Sequence, residues 1–177
     1  LLNYAYEVMT SAVCAASPEN MKNCASAAAV IARKAGIFGM VGGQSLDVLL
    51  TDKPVNEKEM EFIFNLKTGA LIEAAFMAGA ILAGAGKECV SQLEKAGNLV
   101  GVAFQIKDDI LDVTSTQEVL GKPVFSDEKN NKTTYETLYG MEKAAADVEN
   151  MSEKAVSIVK SIGDNEFLIE LINKLIS

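Results

Sequence analysis

Three carboxylates, Asp108, Asp109 and Asp112, stand together in FQIKDDILD at residues 104–112. At about 100° per residue, a helix through this stretch brings Gln105, Asp108, Asp109 and Asp112 to one side. Lys107 then points roughly opposite, and Asp108 and Asp112 lie one turn apart, about 6 Å along the axis. Carboxylates this close repel one another unless a cation neutralises them. Mg2+ suits such a site, because it takes one or two carboxylates, keeps waters and fills its octahedron with phosphate oxygens. The same spacing also fits a solvated acidic face. Other residues must decide.

Several do carry usable chemistry. In GGQSLD, Gln44 and Asp47 are three apart and share a helix face. The two glycines before them allow close approach of another backbone or a ligand. Lys67 and Thr68 set a cation and a hydroxyl just before an apolar helix. Lys122 and Lys132, beyond the acidic stretch, are point charges able to meet a phosphate. Each has a plain reading too: a kinked helix with surface polars, a helix start, solvated lysines. With no histidine in the chain, the commonest general base and zinc ligand is absent.

The elements that must position these residues read as helices. Apolar periodicity predicts helices over 1–15, 19 to about 50, 57–66, 69 to about 85, 88–113, 132–138, 141–162 and 165–176. Gly39, Gly42 and Gly43 should weaken or bend the second of these midway. Polar segments with Pro54 and Pro123 mark loops at 51–56 and 121–131. Neither a strand nor an internal repeat is evident, so the expected fold class is all-α, in one domain covering 1–177.

Composition narrows the function. Hydrophobic residues make up 49 % of the 177 and charged ones 23 %, the balance of a globular chain. A net charge of −8 argues against nucleic acid or an anionic membrane surface as partner. Residues 69–86 are apolar enough to raise the question of a membrane span. Glu73 and the small residues within that run favour a buried helix of a soluble bundle instead, with no stable membrane insertion. Cys14, Cys24 and Cys89 are odd in number and lack metal spacing, so reduced core thiols are expected. The expected address is cytoplasmic. Because LLNYAYEVM opens as a helix in progress, without an initiator Met or a cap, the chain reads as the downstream portion of a longer protein.

Taken in order, GGQSLD, KTGALI, FQIKDDILD, GKPVFSD and NKTTY resemble the trans-isoprenyl diphosphate synthases, the family of farnesyl and geranylgeranyl diphosphate synthases. FQIKDDILD is similar to that family's second aspartate-rich motif. The resemblance implies an isoprenoid-synthase helical bundle, of which this is the C-terminal part. It also implies a head-to-tail condensation, in which an allylic diphosphate ionises and isopentenyl diphosphate attacks the allylic cation. A proton is then lost to the departing diphosphate. By the same resemblance Asp108, Asp109 and Asp112 hold Mg2+, and Lys67, Lys122 and Lys132 clamp the diphosphate. Thr68 and Gln105 lie beside the allylic cation with Lys67, Gln44 and Asp47 line the cavity, and the full-length protein is a homodimer. Stabilising charge on a leaving group in a dry cavity needs no histidine.

The departures are as informative. Asp108-Asp109 is the only Asp-Asp pair, and Arg33 is the only arginine. The family's first aspartate-rich motif, and the arginines that follow it, have no counterpart in these residues. Phe125 stands where the family usually has a glycine. The expectation is therefore a piece of a prenyltransferase that is inactive alone. A non-catalytic helical subunit that binds and modulates a full-length enzyme is the alternative.

Overall fold

The computed structural model describes residues 1–114, 133–163 and 165–176. Those residues are helical throughout, joined by turns, with no strand among them. In chain order the helices are α1 (Leu2–Ala15), α2 (Met21–Ala35), α3 (Met40–Leu49), α4 (Glu57–Phe64) and α5 (Ala70–Leu82). They continue with α6 (Lys87–Thr114), α7 (Tyr135–Tyr139), α8 (Met141–Ile162) and α9 (Glu166–Ile176). Between α4 and α5 the chain stays helical but widens into a π turn, Asn65–Gly69.

Local chemistry explains the element ends. At the start of α4 the Asn56 side chain accepts the Glu59 N–H at 3.1 Å, and the Glu59 carboxylate accepts the Asn56 N–H at 2.9 Å. This reciprocal capping satisfies two donors that a helix start leaves unpaired. The expected helix over 19–50 is in fact two. Gly36 leaves α2 in an extended conformation, and α3 begins after Gly39. Glycine costs a helix interior about 1 kcal/mol relative to alanine, and here the glycines end the helix instead of bending it. The expected helix over 132–138 is seen as Tyr135–Tyr139.

The centre of the bundle is α6, which packs on α5 along one side and on α8 along another. Its Val100, Ala103 and Ile106 are fully buried, against Ala155 and Val159 of α8 and Ile172 of α9 in the same cluster. Two runs, Met21–Leu49 and Glu57–Leu82, are long and apolar enough to cross a membrane. The first is broken at Gly36, as above. In the second, α5 buries Ala70, Glu73, Ala74, Ala78 and Ala80 between α2 and α6, which marks it as a core helix. In contrast, α1 buries no residue and turns Leu2, Tyr4 and Val8 outward. The cysteines are free, as expected, but Cys14 is exposed and Cys24 and Cys89 are only half-buried, so they are not core thiols.

Candidate active site

The π turn is where three helices meet. It presents Lys67 and Thr68 from the middle of a continuous helical run, not from a helix start as the sequence suggested. A π turn adds one residue to the helical circuit, so it changes which side the following side chains face, and such bulges are frequent at functional sites. Two glycines let neighbouring helices close on it. A Cβ on Gly43 of α3 would lie 2.4 Å from the Lys67 backbone nitrogen, and one on Gly101 of α6 would lie 2.5 Å from the Gly69 Cα. Side-chain-free contact at both positions holds the turn between α3 and α6.

Lys67 and Thr68 each reach one of those helices. The Lys67 ammonium donates to the Asp47 carboxylate at 2.6 Å, across from α3. The Thr68 hydroxyl donates to the Gln105 side-chain oxygen at 2.9 Å, across to α6. Lys67–Asp47 and Thr68–Gln105 are thus two pairs set side by side by consecutive residues of the turn, although their partners come from distant segments. Gln44 is half-buried on α3, and among the described residues no hydrogen bond joins it to either pair.

One turn further along α6 stand the three aspartates. Asp108 is half-buried, whereas Asp109 is 3 % exposed and Asp112 1 %. Asp109 accepts the Tyr135 backbone N–H at 2.8 Å, which ties the acidic turn to the start of α7. The Tyr135 hydroxyl in turn donates to Asp147 of α8 at 2.6 Å, and Lys143 donates to the same carboxylate. Asp109 therefore has a structural duty besides any ligand role. Among the described residues no three acidic, histidine or cysteine side chains gather into a ready cage for a metal. The donor set still fits Mg2+, an oxygen-seeking ion that needs only one or two carboxylates and keeps waters and phosphate oxygens for the rest. Lys122 and Lys132, and Phe125 with them, lie outside the described residues.

A cleft of about 530 Å3 opens elsewhere, between α4, α6 and α7, with Phe64, Tyr135 and Tyr139 among its walls. Glu57 and Glu61 line it against one cation, Lys58, so its net negative charge suits a diphosphate poorly. Lys67 and the aspartates are not among the residues that line it.

Sequence reading missed a second polar group, behind the π turn. Lys34 of α2 donates to Glu73 of α5 and, at 2.7 Å, to Glu94 of α6. Glu73, 7 % exposed, also accepts from the Asn98 amide at 2.7 Å. Burial on its own would lower the Lys34 pKa, but the hydrogen bonds and charges of Glu73 and Glu94 outweigh it and raise the value. Burial, then the hydrogen bond to Asp147, raises the Tyr135 pKa as well. A group that holds its proton more tightly when folded gives stability that is complete below the unfolded pKa and lost as pH rises. The unfolded values are 10.5 for lysine and 10.0 for tyrosine. Thermal stability is therefore expected to fall steadily above about pH 10, and Tyr135→Phe to remove part of that slope. Melting scans between pH 8 and 12 would check it, and an unchanged slope in Tyr135→Phe would contradict it.

Known proteins supply the wider frame. The polyprenyl synthetase family model matches residues 2–172. The chain is 40 % identical over 128 residues to a geranylgeranyl diphosphate synthase of Cyanophora paradoxa, covering 72 % of this chain and 43 % of that one. It is 40 % identical over 123 residues to the farnesyl diphosphate synthase of Geobacillus stearothermophilus, covering 67 % and 41 %. Among solved structures, the geranyltransferase of Helicobacter pylori complexed with magnesium and isoprenyl diphosphate superposes with a TM-score of 0.80 at 26 % identity, over 98 % of this chain and 55 % of that one. The chain spans less than half the length of the curated relatives it matches. By its sequence and by its fold, this chain belongs to the polyprenyl synthetase family.

Proposed function

We propose that the chain is the downstream part of an Mg2+-dependent isoprenyl diphosphate synthase, which joins an allylic diphosphate to isopentenyl diphosphate. The observation that supports this most is the two adjacent pairs, Asp47–Lys67 and Thr68–Gln105, gathered at the π turn one helical turn from the aspartates of α6. Asp108, Asp109 and Asp112 would hold Mg2+, which when bound supplies positive charge to offset that of the diphosphate.

The chain's own residues do the rest. Lys67 meets the diphosphate as a point charge, sharing its ammonium between Asp47 and a phosphate oxygen. Asp47 orients that ammonium beforehand, so less freedom is lost when the substrate arrives. Thr68 and Gln105 fix one another and present fixed dipoles beside the allylic carbon as its bond to oxygen breaks. Lys122 and Lys132 complete the clamp. Once isopentenyl diphosphate has attacked, the proton it loses goes to the released diphosphate, so no histidine is needed.

The homodimer belongs to the same proposal, and the outward-facing Leu2, Tyr4 and Val8 of α1 support it. A cytoplasmic address is part of the same proposal. Within these 177 residues there is no second Asp-Asp pair and one arginine only, so the diphosphate of isopentenyl diphosphate lacks its site. The expected result is no condensation product from the 177-residue chain assayed alone with both substrates and Mg2+. The same chain within a polypeptide of full family length should give product. A folded full-length polypeptide without product would overturn the proposal.

A further inference from the structure

Asn98 of α6 belongs to none of the motifs above, yet it lies under the whole π turn. Its amide donates at 2.9 Å to the Asn65 side-chain oxygen, at the first residue of the turn. A Cβ on Gly69, the last residue of the turn, would lie 3.5 Å from the same Asn98 nitrogen. The amide's other N–H goes to the buried Glu73 carboxylate at 2.7 Å, which Lys34 neutralises from α2. Asn65 in turn donates its own amide to the Glu61 carbonyl at 2.8 Å, one turn back in α4. The result is a polar ladder, Lys34–Glu73–Asn98–Asn65–Glu61 carbonyl, that spans the widened turn from outside.

A π turn is less favourable than α-helix and persists only where surrounding contacts impose it. Glycine contacts hold this turn between α3 and α6, and the ladder adds side-chain hydrogen bonds to it from Asn98 of α6. Closing it into α-helix would rotate the residues that follow by about 100° about the axis. Lys67 and Thr68 would then lose the directions in which they meet Asp47 and Gln105. We infer that Asn98 is a positioning residue, which keeps the π turn open and so aims Lys67 and Thr68 at the diphosphate substrate. This rests on the functional reading above and adds the residue that sets its geometry.

The test is a double-mutant cycle in the 177-residue chain, read as the affinity for inorganic diphosphate in the presence of Mg2+ by calorimetry. Asn98→Leu removes both N–H donors, keeps the side chain's approximate shape and adds no charge. Asn98→Leu should weaken binding by about tenfold, the effect of roughly 1.4 kcal/mol. Lys67→Ala should weaken binding similarly in the native chain but by less than about threefold in the Asn98→Leu background, because its lysine is already misdirected. Additive losses would make Asn98 a stabilising residue only and overturn the inference. Binding unchanged by Asn98→Leu, with Lys67→Ala still harmful, would overturn it while leaving the functional reading intact. Failure of the native chain to bind diphosphate would overturn both. If Asn98→Leu does not fold, Asn65→Leu cuts the ladder at its more accessible end and carries the same expectations.

Discussion

In a polypeptide of full family length, Asp108→Asn is expected to lower condensation turnover by at least about tenfold, roughly 1.4 kcal/mol on the barrier, with no loss of melting temperature. Burial singles this residue out. Asp109 and Asp112 are almost wholly enclosed, and Asp109 also holds the start of α7, whereas Asp108 is half-buried. The amide keeps the shape of the carboxylate and removes one of three clustered like charges, which relieves repulsion. What it removes is an anionic oxygen able to bind Mg2+. Steady-state kinetics beside a melting curve would decide. Full turnover in a folded variant would show that Asp108 is not a ligand.

The second large effect is on stability. Gly43→Val is expected to cost about 3 kcal/mol, the upper part of the range for overpacking. For a chain of 177 residues that corresponds to a melting temperature lower by about 6–12 °C. A Cβ at Gly43 would meet the Lys67 nitrogen at 2.4 Å and the Leu66 carbonyl carbon at 2.9 Å. Both are backbone atoms inside a helical run, and neither can swing away as a flexible side chain would. To admit the valine, α3 must move off the π turn and take Asp47 away from Lys67. Diphosphate affinity should therefore fall together with stability. A melting temperature within about 2 °C of the native value, converted as above, would mean that α3 and the turn do not touch as described.

Periodicity recovered the long helices well. The expected helix over 88–113 is α6, Lys87–Thr114, and the one over 141–162 is α8, Met141–Ile162. In both, apolar residues recur at helical spacing over many turns, so the signal is strong. The break between α2 and α3 was harder, because glycines in an Ala-rich run tell of weakness but not of where the helix ends. The π turn was legible only as a break, between the helices expected over 57–66 and 69–85, where the chain in fact stays helical. Its residues, NLKTG, tell of a weak point in a helix but not of a wider one, and the wide register depends on Gly43, Asn98 and Gly101, which lie far off in sequence.

The site shows the same division. Gln105, Lys67 and Asp47 were legible because their motifs are dense in chemistry-bearing residue types. The network of Asn98, Glu73 and Lys34 was not, since its members stand in three different helices and the bonded pairs are 25 and 39 positions apart. Burial, which turns such residues into a network, is a property of the packed bundle. The family resemblance supplied the roles proposed for the aspartates, and the geometry added that Asp109 accepts a bond from Tyr135.

The most direct measurement is a calorimetric titration of inorganic diphosphate into the 177-residue chain, with and without Mg2+, after confirming its helical circular dichroism. Metal–diphosphate association in free solution must be subtracted. Mg2+ alone should bind weakly, since carboxylates on one helical turn leave it mostly hydrated. Diphosphate supplies the missing oxygens, and the lysines offset its charge. Metal and diphosphate should therefore each tighten the other's binding by the same factor. Lys122→Ala should weaken the ternary complex, and Lys107→Ala, on the opposite side of the acidic turn, should not. If Mg2+ makes no difference, or the two lysine variants behave alike, FQIKDDILD in this chain is not a metal–diphosphate site.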